Sequence, residues 1–120
     1  MYSVAAQRVW LVEADERVVE SWLVSGRRGI PRPGNYQVFS KSRWARAPSR
    51  VRMEFMVRFA RTRGLPIGFH AIPINRKGRP IQSEAELGQY RSKGCVRQSR
   101  ATAEILWHFA PVGTPVRVTP

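Results

Sequence analysis

Val51-Arg52-Met53-Glu54-Phe55-Met56-Val57-Arg58-Phe59 carries the cleanest period in the chain. Val51, Met53, Phe55, Val57 and Phe59 alternate with Arg52, Glu54, Met56 and Arg58. Apolar residues at every second position predict a strand with one buried face. Shorter strands gather on either side. Arg8 to Val12 and Val18 to Val24 are joined by the polar link Glu13-Ala14-Asp15-Glu16-Arg17, which reads as a hairpin. Tyr36 to Phe39, Ile67 to Ile72 and Val116 to Val118 complete the predicted strands, and Arg63-Gly64-Leu65-Pro66 is a turn. Ser25 to Gly34, Ser40 to Arg50 and Asn75 to Pro80 are basic and aperiodic, so they are expected to be loops. Ser83-Glu84-Ala85-Glu86 is a capping-box pattern for a helix of one or two turns. Ser99 is the predicted N-cap of a helix over Arg100 to Ala110, with Ala101, Ile105 and Phe109 as its recurring apolar positions and Pro111 as its stop. About six or seven short strands and one full helix predict a mainly β fold, a β-sandwich or barrel.

The chain has 120 residues, enough for one domain spanning 1–120 with a real core. Trp10, Trp22, Trp44 and Trp107 are material for that core. Its 21 Lys and Arg against 8 acids give a net charge of +13. Such a field attracts polyanions: nucleic acid, anionic wall polymers and acidic lipid headgroups all fit it. One Cys excludes a disulfide framework, and with His70 and His108 as the only histidines it argues against a structural zinc site. No cofactor or metal is expected. Met1 to Ala6 lacks the pattern of a signal peptide, and no run is long enough to cross a bilayer.

The single cysteine sits in Tyr90-Arg91-Ser92-Lys93-Gly94-Cys95-Val96-Arg97-Gln98. Lone thiols are either inert packing or reactive groups, and nearby cations favour the reactive thiolate. Lys93 and Arg97 flank Cys95, no acid lies between Leu87 and Ala103, and Gly94 gives the backbone freedom to expose the sulfur. A thiol titrating below the ordinary value of about 8.5 is therefore expected. An imidazole that reached Cys95 would serve as its base. His70 lies in the apolar segment Ile67-Gly68-Phe69-His70-Ala71-Ile72, and His108 on the predicted helix is read as a half-exposed surface side chain.

Four landmarks carry a family resemblance. Ser92-Lys93-Gly94-Cys95-Val96-Arg97 resembles the Ser/Thr-His-Gly-Cys signature of L,D-transpeptidase catalytic domains (the YkuD type). Ile67-Gly68-Phe69-His70 is similar to the family's histidine segment, and Ile30 to Tyr36 to its Thr-Pro-x-Gly-x-Phe/Tyr loop. Ala110 to Val118 resembles its closing Gly-Thr-Pro-Val-x-Val strand. The resemblance implies a β-sandwich-like fold and a cysteine acyl transferase acting on peptidoglycan stem peptides in an exported compartment. It makes Cys95 the nucleophile and His70 the base, oriented by a backbone carbonyl. Gly94 and Cys95 supply N–H groups to the oxyanion. Arg97, Ser92, Tyr90 and Lys93 are the candidate substrate-binding residues, with Arg97 suited to a stem-peptide carboxylate.

Two departures stand out. Lys93 replaces the family's histidine before Gly-Cys, and 21 residues separate His70 from Ser92, more than the family usually has. The excess, Ile74 to Arg91, is expected to form a longer lid. Two rival readings follow: a wall-binding pseudoenzyme, disabled at Lys93, and a basic nucleic-acid-binding module. The second is disfavoured, because the cations form no helix stripe and no nucleic-acid motif is present.

Overall fold

The computed structural model describes residues 1–120. Two sheets face each other. The first has the order β3-β2-β1-β9-β4, formed by Val18–Leu23, Arg8–Val12, Tyr2–Ser3, Pro115–Thr119 and Gly34–Gln37 respectively. The second has the order β5-β6-β7-β8, formed by Ser40–Arg46, Arg52–Thr62, Leu65–Ala71 and Val96–Gln98. One helix, α1, spans Arg100–Phe109, and a 3-10 turn spans Glu84–Glu86. The fold is the expected mainly β sandwich with a single full helix.

The sandwich interior holds Tyr2, Val9, Leu11, Trp22, Val116 and Val118 from the first sheet, against Val57, Phe59, Phe69 and Val96 from the second. Phe59 and Phe69 stack at 4.4 Å, and the Tyr2 ring meets Phe69 edge-on at 6.0 Å. Offset and edge-on aromatic pairs add to what their buried area already contributes. β2 and β3 form the predicted hairpin, with Val9 opposite Trp22. The short β1 lies between β2 and β9, antiparallel to the first and parallel to the second. Of the four tryptophans only Trp22 is fully buried, and Trp44 is largely exposed.

Three expectations are corrected. Ser40–Arg46, read as loop, is a strand paired residue for residue with β6. It is an edge strand, so its stability comes from backbone pairing and from cations laid over rings, not from an apolar face. Lys41 lies 4.3 Å above Trp107, and Arg43 lies 4.1 Å above Phe55. Second, the strict alternation of β6 breaks: Glu54, Phe55, Met56 and Val57 are all buried. Phe55 has φ 57°, a left-handed kink within the strand, and β6 lies between β5 and β7 with cover on both faces. Third, α1 buries Ala103 and Leu106 while Ala101 and Ile105 are exposed. Ala103 packs on Phe55 and Ala71 beside Trp107. The helix start is as expected, with Ser99 Oγ accepting from Thr102 N at 3.1 Å.

Candidate active site

The parallel pairing of β7 with β8 builds the site. Phe69 stands opposite Val96, His70 opposite Arg97 and Ala71 opposite Gln98. Side chains alternate along a strand and opposed residues share a face. Phe69 and Val96 therefore enter the core, while His70 and Arg97 emerge together on the other face. One residue before β8, Cys95 falls beside Gly68, and the Gly68 backbone N–H lies against its sulfur. The structure thus brings His70 and Arg97 onto one face of two adjacent strands, with Cys95 just before β8 against Gly68 and under the influence of Arg97.

Gly68 lets β7 lie close against β6 beside the site. A Cβ there would lie 2.7 Å from Met56 Sδ and 2.8 Å from Val57 O. Gly94 also serves close packing, since a Cβ would lie 2.9 Å from Ile67 Cδ1. The expected conformational freedom at Gly94 is not what the position uses.

His70 is 1% exposed. Its Nδ1 is 2.6 Å from the Ala71 carbonyl oxygen, so Nδ1 carries the proton and Nε2 is left as the lone-pair nitrogen. A backbone carbonyl orients the ring, as the resemblance implied. Burial pushes the His70 pKa down to about 4, with the Arg97 charge acting in the same direction. The ring is therefore neutral at pH 7.

Cys95 differs from expectation. Burial raises the thiol above its ordinary value, and that outweighs the Gly68 N–H and the cations of Arg58 and Arg97, which favour the thiolate. The thiol donates towards the Pro66 carbonyl at 3.8 Å, not to His70. The sequence reading counted flanking charge and missed desolvation, which depends on the tertiary fold. It also assigned charge to Lys93, which is exposed, whereas the acting cation besides Arg97 is Arg58. Arg58 lies opposite Gly68 on β6 and donates to Ser40 Oγ and Ser42 Oγ at 3.1 and 2.9 Å. Without strand register, nothing in the sequence links Arg58 to Cys95.

The remaining candidates divide. Ser92 Oγ donates to the Cys95 carbonyl and accepts from Gly94 N at 3.1 Å, which shapes the loop and occupies the Gly94 N–H. Cys95 N–H has no partner. Tyr90 donates to Val4 O at 3.1 Å under the Arg28 guanidinium, so it ties the loop to the N-terminal segment. Arg97 is half-buried and donates to Gln82 Oε1 at 3.1 Å. His108 is exposed on α1.

The segment between the two site strands is fastened down. Ile74 pairs with Arg52, Gly88 N donates to Val24 O at 2.9 Å, and Arg91 N donates to Gly26 O at 3.2 Å. Ser83 N donates to Glu86 Oε1 at 2.9 Å, so the carboxylate half of the capping box forms. The Ser83 hydroxyl also donates to that carboxylate, and the Glu86 N–H goes to the Ser83 carbonyl instead of the hydroxyl.

A family profile described as the L,D-transpeptidase catalytic domain, YkuD, matches residues 1–118. The chain belongs to this family. Solved L,D-transpeptidases share the fold of this domain. LdtMt1, an LD transpeptidase solved in complex with imipenem, superposes with a TM-score of 0.78 at 19% identity, over 98% of this chain and 56% of that one. L,D-transpeptidase 3 from Mycobacterium tuberculosis, in complex with a faropenem-derived adduct, gives 0.75 at 21% identity over 99% and 58%. An L,D-transpeptidase from Mycobacterium smegmatis gives 0.75 at 17% identity over 98% and 56%. This L,D-transpeptidase domain therefore spans little more than half the length of those chains. No curated protein sequence matches it significantly. No helix of the domain is long and apolar enough to cross a membrane.

Proposed function

We propose that the domain is a cysteine acyl transferase acting on peptidoglycan stem peptides, with Cys95 as nucleophile and His70 as general base. The observation that carries this reading is the β7–β8 pairing, which sets a neutral, carbonyl-anchored imidazole opposite Arg97, the cation that also acts on the only thiol. Family membership supplies the substrate class.

A neutral imidazole and a raised thiol pKa mean that no thiolate–imidazolium pair stands ready in the resting site. The proton moves as the sulfur attacks. Cys95 Sγ bonds to the carbonyl carbon between the third stem residue and the terminal D-alanine, and its proton passes to His70 Nε2. The oxygen that becomes negative accepts from the unengaged Cys95 N–H. When the C–N bond breaks, the imidazolium returns its proton to the departing amine, leaving a thioester. Burial destabilises the imidazolium, which favours that return. An amine of a neighbouring stem then takes the acyl group. Water in its place gives carboxypeptidase activity. Arg97 faces this chemistry and suits a stem-peptide carboxylate. The polymer substrate puts the domain in an exported compartment, at the wall or in the periplasm.

Incubation with a disaccharide tetrapeptide, read by mass, tests the reading. The expected result is release of D-alanine with a cross-linked or shortened product, abolished by Cys95→Ala. A folded protein with a reactive thiol but no turnover would leave the wall-binding alternative in its place.

A further inference from the structure

Gln82 lies in the long segment between His70 and Cys95, yet it is only 5% exposed. Its Nε2 donates to Ser25 Oγ at 2.8 Å, and its Oε1 accepts from Arg97 Nη1 at 3.1 Å. Ser25 is fully buried and exchanges both backbone hydrogen bonds with Arg97, at 2.9 and 2.8 Å. Main chain and side chain of Arg97 are thus held by two partners that also hold each other. A free arginine side chain samples many rotamers, and this ring of contacts restricts them.

The acceptor chosen for Arg97 is a neutral amide. No carboxylate pairs with Arg97, and Glu86 on the same segment is engaged by Ser83 and Arg91. The charged groups acting on Cys95 are Arg58 from β6 and Arg97 from β8, with His70 opposite Arg97 on β7 and exposed Lys93 in the cysteine's own loop. One guanidinium N–H is used in fixing the side chain, and its charge is left uncancelled.

We propose that Gln82 is a positioning residue that holds Arg97, with its charge uncompensated, where it receives a carboxylate-bearing partner beside Cys95. The inference rests on Cys95 being the nucleophile. It makes the segment between the two site strands part of the recognition apparatus and assigns carboxylate selection to a residue outside the Gly-Cys loop.

Iodoacetate and iodoacetamide test this on the whole chain. They are similar in size and both react with thiolate, so the ratio of their rates cancels the thiolate fraction and reports local charge at the reagent. Relative to a small neutral thiol, the natural chain should favour iodoacetate by about threefold at low salt. Gln82→Leu should lower the ratio to that of Arg97→Gln. The near-isosteric Gln82→Glu, which places a carboxylate on Arg97, should lower it further. Arg117→Gln, an exposed side chain on β9, controls for the overall positive field and should leave the ratio unchanged. A merely structural role for Gln82 would lower the melting temperature without moving the ratio. An unchanged ratio in both folded Gln82 variants, or a natural ratio no higher than that of the small thiol, overturns the inference and leaves Cys95 as nucleophile. A thiol inert to both reagents removes the nucleophile reading, and this inference with it.

Discussion

His70 and Arg97 stand directly opposite each other on the parallel β7–β8 pair, one kept neutral by burial and the other charged. The guanidinium makes protonating the imidazole harder, adding to the larger effect of burial, so the base stays available beside a permanent cation. This relationship sets the acid–base behaviour of the site and can be measured in several ways.

The thiol of Cys95 should titrate above the ordinary cysteine range, because desolvation is the largest influence on it. The rate of iodoacetamide alkylation against pH should show a midpoint higher than that of a small thiol. Arg58→Gln removes one of the two cations that favour the thiolate and should slow alkylation at pH 8 by a few-fold. A midpoint below the small-thiol value would mean that the sulfur is better solvated than its surroundings indicate.

Stability should fall in mild acid on account of His70. Its folded pKa of about 4 lies below the ordinary value of 6.5, so the unfolded chain binds the extra proton first. The contribution is complete above pH 6.5, declines as pH drops through the interval, and is gone near pH 4. Its size is on the order of 3 kcal/mol. Denaturant titrations at pH 7 and 5 should show the loss in the natural chain and a smaller one in His70→Gln.

Gly68→Ala should cost about 1–3 kcal/mol through overpacking. The new Cβ would meet Met56 Sδ at 2.7 Å and the Val57 carbonyl at 2.8 Å; the thioether can swing away, but the backbone cannot. The denaturation midpoint should drop with little change in slope. Because the same backbone carries the N–H beside the sulfur, alkylation of Cys95 should slow as well.

Lys93→His, which restores the residue found in related motifs, should change turnover by less than about threefold. Lys93 is exposed, and Arg58 and Arg97 are the cations acting on the thiol. A gain of a hundredfold in D-alanine release would show instead that position 93 carries a proton-transfer role.

Much of the architecture was legible because two signals in the sequence are local. Period-two patterning in Val51 to Phe59 and the Ser99 cap each act within a few residues, and both elements are found where predicted. Ser40–Arg46 was not legible: its pairing partner lies on β6, and its support comes from Lys41 and Arg43 lying over Trp107 and Phe55. The site shows the same division. Cys95 and His70 stood out as the lone thiol and an apolar-flanked imidazole. Arg58 and Gln82 did not, since each reaches the site only through strand register or a long-range side-chain hydrogen bond.

Tyr2–Ser3 occupies the middle of a five-stranded sheet although it is only two residues long. The hairpin of β2 and β3 and the pair of β4 and β9 meet only through it. During synthesis Tyr2–Ser3 must therefore wait for Val118 and Thr119, far along the chain, before the two halves of that sheet can join. Closure is a chain-spanning event, and a nascent chain stalled before Pro115 would present the β3-β2-β1 fragment with an open edge at β1 and β4 without its partner strand.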